Sequence, residues 1–360
     1  MSTHLRPLFQ RGMKSYFAIA ILGSLLSPCL AQKPDTEKIF NHAMAAQQRG
    51  DLNAAVTGYE QVLRLAPDLV PARANLAAAQ LRLGRLEDGL SSYRRALRLS
   101  NGNPQIALLL GDALVTARRY GEAIELLQPL ERTHSHNLDI AFLLGEALIG
   151  KDRRRDGLPL IERVARTRSD PNAWTLAALT WLKLGDSVRA NASAELALRL
   201  TPSDASAYVL SGMTKAAGGD PEKAKAAYRK ATELDPDDFD ANLRLGTLLR
   251  IDGETSAAKP YLERALKIDP RSLSARFEVA QIEISEGHNA EAIADLEGIV
   301  RQAPGLPQPH VRLAALYYQM HRREDSARER QIVERLEASP QSRPGANPIA
   351  IIETVGAPVH

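Results

Sequence analysis

A 34-residue unit recurs in register from about Thr36 to about Glu337 of this 360-residue chain. A repeat this short cannot bury a core by itself, so neighbouring copies must stack and share one. The clearest copy runs from Ala205 to Asp238 and carries Tyr208, Leu210, Gly212, Gly219, Ala224, Tyr228, Ala231 and Pro236. Counted from its first residue, position 8 is small throughout: Ala43, Ala77, Gly111, Gly145, Ala178, Gly212, Gly246, Ala280 and Ala314. One copy, starting at Pro171, sits a residue early. Position 20 is also small: Ala55, Gly89, Ala123, Gly157, Ala190, Ala224, Ala258 and Ala292.

Each copy reads as two amphipathic helices joined by a short turn. Small residues at positions 8 and 20 let those helices approach closely. Gly50, Gly84, Gly185, Gly219, Gly253 and Gly287 stand where the first helix ends, a place that favours the left-handed conformation. Pro67, Pro202, Pro236, Pro270 and Pro304 close the second helix.

This pattern resembles the tetratricopeptide repeat (TPR) family over roughly 300 residues. The resemblance implies an all-α fold, a right-handed superhelical solenoid of stacked helix–turn–helix repeats. The solenoid is expected over residues 32–338, as about nine repeats: 36–69, 70–103, 104–137, 138–170, 171–204, 205–238, 239–272, 273–306 and 307–338. The third and fourth depart from the pattern. They lack the closing proline, Arg118 and Asp152 replace the turn glycine, and Pro129 falls inside a second helix, where a kink is expected.

The chain ends read differently. Arg6, Arg11 and Lys14 precede an apolar run from Phe17 to Leu26, and Cys29 and Ala31 are small residues at signal-peptidase spacing. Residues 1–31 therefore read as a secretory signal peptide cleaved after Ala31, which places the product in the periplasm or outside the cell. An alternative is lipid anchoring through Cys29, but Pro28 before the cysteine departs from the usual lipobox. The apolar run is short for a spanning helix and no second one follows, so no transmembrane span is expected in the mature chain. The whole chain has net charge +3. Its leader holds three basic and no acidic residues, which leaves 43 of each sign in the remainder. Nothing global then favours nucleic acid as a partner. Cys29 is the only cysteine, so a cleaved product has no thiol chemistry. Residues 339–360 hold Pro340, Pro344, Pro348 and Pro358 and read as a disordered tail. Within it, Ile349 to Ile352 is an apolar strip that could dock in the chain's own groove or on a partner.

In the TPR family, positions 2, 5, 9 and 12 of the first helices face a concave groove. Carried onto this chain, position 9 holds Met44, Ala78, Asp112, Glu146, Leu179, Met213, Thr247, Gln281 and Ala315. The residues expected to line the groove are Leu108, Asp112, Phe142, Glu146, Leu179, Val209, Met213, Leu243, Phe277 and Tyr318. This is an apolar strip interrupted by two carboxylates, suited to an apolar or amphipathic segment of a protein or peptide. Two specialised reading schemes of the family do not fit. No repeat pairs lysine at position 5 with asparagine at position 9, as a carboxylate clamp requires, and only Asn41 and Asn75 occupy position 6 as an asparagine ladder would.

No zinc-peptidase, serine-hydrolase or phosphate-loop motif occurs. His134 and His136 share a turn with no evident third metal ligand. Asp235, Asp237, Asp238 and Asp240 lack the glycine and closing glutamate of a calcium loop and are expected to cap the next helix. Arg153 to Arg155 read as a solvated turn flanked by Asp152 and Asp156, and Trp174 and Trp181 read as core. No catalytic residue, metal or cofactor is expected. The sequence points to an exported, non-catalytic scaffold in an envelope-associated assembly. The alternative is an accessory subunit that positions a catalytic partner in a secretion or polysaccharide-export complex.

Overall fold

The computed structural model describes residues 34–338. The expected signal peptide and the proline-rich tail lie outside the described residues. Among the described residues there are 18 helices and no strand. They form two compact bodies that divide between Ala173 and Trp174. The first body holds α1 (Pro34–Gln48), α2 (Leu52–Leu65), α3 (Val70–Arg82), α4 (Leu86–Leu99), α5 (Pro104–Thr116), α6 (Tyr120–Thr133), α7 (Leu138–Gly150) and α8 (Arg154–Arg168). The division falls inside α9 (Pro171–Lys183). The second body continues with α10 (Ser187–Leu200), α11 (Ala205–Ala217), α12 (Pro221–Leu234), α13 (Phe239–Ile251) and α14 (Thr255–Ile268). It ends with α15 (Leu273–Glu286), α16 (Asn289–Gln302), α17 (Pro307–Gln319) and α18 (Arg323–Glu337). Within each body, and leaving aside the divided α9, successive helices pack as hairpins and each hairpin packs on the next, giving an all-α solenoid.

Side chains in the turns within and between repeats start the helices. Asp51, Asn103, Asn137, Asp186, Asp204, Asp220, Asp238 and Ser272 each accept a hydrogen bond from a free first-turn N–H. Of the aspartates in this turn, Asp238 caps the next helix by accepting the N–H of Ala241, while Asp235 accepts that of Asp237 within the turn itself. The first helices end on residues at positive φ. Six of these are the expected glycines, at φ between 76° and 85°. Arg118, Asp152 and His321 adopt the same conformation at φ 60°, 70° and 60°, each at a steric cost of about 1–2 kcal/mol that glycine avoids. α6 runs through Pro129 without ending.

The small positions work through contact. A Cβ placed on Gly246 would lie 2.5 Å from Leu262 Cγ, one on Gly111 2.9 Å from Leu127, and one on Gly145 2.8 Å from Ile161. The large residue at position 24 therefore sits on the small residue at position 8 of its own hairpin. Trp174 is buried as expected, whereas Trp181 is only half-buried and carries the Arg189 guanidinium 4.3 Å above its ring.

Two ties between hairpins have no counterpart in the helical pattern. At position 4, Arg73, Asn242 and His310 each reach back six residues to the carbonyl of the closing proline, Pro67, Pro236 and Pro304, at 2.7, 2.8 and 3.1 Å. On α12, the buried Lys225 ammonium pairs with Glu222, Asp252 and Glu254 at 2.8, 2.6 and 3.3 Å, joining its hairpin to the next.

Candidate functional site

The first helices of the hairpins touch their counterparts in neighbouring repeats, α1 with α3, α5 with α7 and α13 with α15. This contact divides their apolar residues into two groups. Position 5 turns toward the contact, so Leu108, Val209, Leu243 and Phe277 are buried, the last at 3% exposure. Leu179 at position 9 is buried as well, packed with Leu182 and Met213. Leu108 in the first body and the other four in the second each pack into the core and present little surface of their own. Asp112, Phe142, Glu146 and Met213 are half-buried. Tyr318 is 60% exposed, with Val311 and Met320 also exposed on or beside α17. Met44, Ala78, Leu81 and Ile149 are half-buried at positions 9 and 12 of the first body, and Ile284 is half-buried in the second.

Of the expected site residues, the structure brings one titratable pair together. Asp112 on α5 and Glu146 on α7 hold the same position in consecutive repeats, close enough for the Asp112 charge to act on Glu146. Burial, followed by the neighbouring Asp112 charge, pushes the Glu146 carboxyl up to about 7. Burial also raises the Asp112 carboxyl. Glu146 Oε2 is shielded from solvent and has no hydrogen-bond partner among the described residues. Among the described residues, no basic side chain pairs with either carboxylate. Elsewhere in this body acids do find arginines: Glu122 meets Arg94 at 2.6 Å, Glu131 meets Arg163 at 2.5 Å and Asp139 meets Arg168 at 2.7 Å.

Tyr93, buried on α4, is a neighbour that sequence reasoning did not place here. Burial and the Asp112 charge both raise its hydroxyl. It contributes from a second helix one repeat earlier, a contact with no local sequence signal. In the second body, Thr247 Oγ1 and Gln281 Nε2 are likewise buried without a hydrogen-bond partner among the described residues, again at position 9. Their one sequence signal is a polar residue type in an otherwise apolar row.

The remaining sequence candidates are accounted for locally. His134 Nδ1 lies 2.8 Å from Thr133 Oγ1 and 3.3 Å from the Leu130 carbonyl, at the end of α6. Arg153 pairs with Asp156 at 2.8 Å and Arg154 with Asp152 at 2.5 Å. Among the described residues, no three His, Cys, Asp or Glu side chains gather as a metal site. No described helix is long and apolar enough to cross a membrane.

Two family models, both described as Tetratricopeptide repeat, match the chain. One covers residues 205–238 and the other residues 40–104, 108–153 and 252–307. No curated protein matches it. Among solved structures, the chain is similar to the C-terminal part of a TPR repeat-containing protein from Cytophaga hutchinsonii. That structure is 17% identical, covers 66% of this chain and 97% of its own, and has a TM-score of 0.54, a likeness of fold. MamA from Desulfovibrio magneticus RS-1 is 20% identical over 48% of this chain and 97% of that one, with a TM-score of 0.43. YrrB, described as a TPR protein with an unusual peptide-binding site, is 22% identical over 51% of this chain and 95% of that one, with a TM-score of 0.43. With its repeats matched over more than half of its residues and its helices stacked as successive hairpins, the chain belongs to the tetratricopeptide repeat family.

Proposed function

We propose that this protein is an exported, non-catalytic scaffold that holds an apolar or amphipathic segment of a partner protein along the uncovered face of its first helices. The TPR fold is a protein-binding fold, and its stacked hairpins offer an extended surface in place of an enclosed pocket. The observation that carries the reading is the row of half-buried apolar residues at positions 9 and 12 of the first body, Met44, Ala78, Leu81 and Ile149, with Met213 and Ile284 at the same positions within the second. A preformed row of this kind binds with little ordering cost, because its helices are already held by their neighbours. Export rests on the basic start, the apolar run from Phe17 to Leu26 and the small residues before Gln32.

Site-specific photocrosslinking in the native envelope tests the face. A benzoylphenylalanine at Ala78 on α3 is expected to capture a partner, and one at Ala226, exposed on α12, is not. Adducts from Ala226 with none from Ala78 would put the binding surface on the second helices. The mass of the exported protein tests the leader: the expected N-terminus is Gln32, and a protein retained inside the cell with Met1 intact contradicts export.

A further inference from the structure

We infer that Asp112 and Glu146 form a recognition subsite for one cationic side chain, lysine or arginine, of the polypeptide bound along this face. The inference rests on the face reading above and adds what the ligand must carry. Three observations converge on it. The two carboxylates occupy the same position in adjacent repeats, on helices that touch, and the Asp112 charge reaches Glu146. Neither is paired among the described residues, although this body uses arginine to pair Glu122, Glu131 and Asp139. Glu146 Oε2 is shielded from water with no donor to meet it, and a buried acceptor left in that state is costly until a partner arrives.

Charge complementarity selects the occupant. Two acids drawn partly out of water repel one another, and a cation between them relieves both the repulsion and the missing hydrogen bonds. Half-buried Ala78, Leu81 and Ile149 in the same row suit the aliphatic stem of a long basic side chain. A guanidinium presents a planar fork that can donate to both carboxylates, so arginine is expected to bind more tightly than lysine. A hard metal ion is a poorer match, since it takes six or more oxygen ligands and no third acid joins the pair among the described residues.

The test uses the full chain and a library of terminally blocked dodecapeptides sampling all residue types. Peptides selected on the wild-type protein are expected to carry one arginine or lysine at a constant place relative to their apolar residues. Replacing that arginine by the isosteric, neutral citrulline should weaken wild-type binding by about 10- to 100-fold. On an Asp112→Asn/Glu146→Gln double variant the same replacement should change binding less than about twofold. The variant keeps the side-chain shapes and removes the buried charges, and its circular-dichroism melt verifies folding. If binders are selected without a basic residue, or citrulline costs the same on both proteins, the cation subsite is overturned and the face reading stands. If the wild type selects no binder at all, the face reading falls and takes the subsite with it.

Discussion

A Cβ added to Gly157 would lie 2.5 Å from the carbonyl oxygen of Gly145. These are positions 20 and 8 of one repeat, so α7 and α8 meet backbone to backbone. The atom in the way belongs to the main chain and cannot swing aside. Gly157→Ala should therefore destabilise the protein by about 1–3 kcal/mol, despite the better helix propensity of alanine. Gly121→Ala is the control, because a Cβ there meets nothing within 4 Å. It should leave stability unchanged or raise it by up to about 1 kcal/mol. Urea unfolding followed by circular dichroism separates the two, and equal effects would contradict close packing at Gly157.

Asn242 makes a second, less obvious joint. It is buried at position 4, and its Nδ2 donates to the carbonyls of Pro236 and Asp238, both at 2.8 Å. Asn242→Ala strips both acceptors of their donor and should cost about 1–3 kcal/mol. Asn242→Asp should cost more, since it turns a carboxylate oxygen toward two carbonyls. Urea midpoints ranked wild type, alanine variant, aspartate variant are expected. An aspartate variant as stable as wild type would rule out the tie to the proline carbonyl.

How far such joints can be read from sequence depends on the distance over which they act. The pairing of small position 8 with large position 24 is legible, because it repeats within one hairpin, as at Gly246 and Leu262. The turn conformation is legible at the glycines. Arg118 and Asp152 show that the tertiary fold imposes it where glycine is absent. The groove residues are legible only as a mixture. A helix carries apolar residues both for its own packing and for a ligand, and helical period cannot say which stripe the next repeat covers. Leu108, Val209, Leu243 and Phe277 fall in the covered stripe, while Ala78, Asp112 and Glu146 remain in the open one. The Tyr93 approach to Asp112 joins a second helix to a first helix of the next repeat, and nothing local encodes it.

Glu146 gives stability a predictable pH dependence. Its carboxyl is raised from an ordinary value of 4.5 to about 7 in the folded protein, so folding favours the protonated form. That contribution is fully present below about pH 4.5 and is lost as pH rises through about 7. Glu146→Gln keeps a neutral group at every pH. The variant should match the wild type near pH 4.5 and exceed its stability at pH 8 by up to about 3 kcal/mol, the unpaired carboxylate being the cost removed. Asp112 and the Tyr93 hydroxyl stay in place in both proteins and are common to the comparison. Urea unfolding at the two pH values is the check, and a wild type more stable than the variant at pH 8 would mean that Glu146 has a partner in the folded chain.

The claim that matters most is that the open stripe of the first helices is where a polypeptide binds. Calorimetric titration of a library-selected dodecapeptide into Ala78→Arg and Ala226→Arg proteins tests it directly. Ala78 lies half-buried in the row on α3, and Ala226 is exposed on the second helix α12. Arginine at 78 should weaken binding at least about tenfold by filling the row and competing for its acids, while arginine at 226 leaves the affinity unchanged. Equal affinities for the two variants, both matching the wild type, would contradict the account.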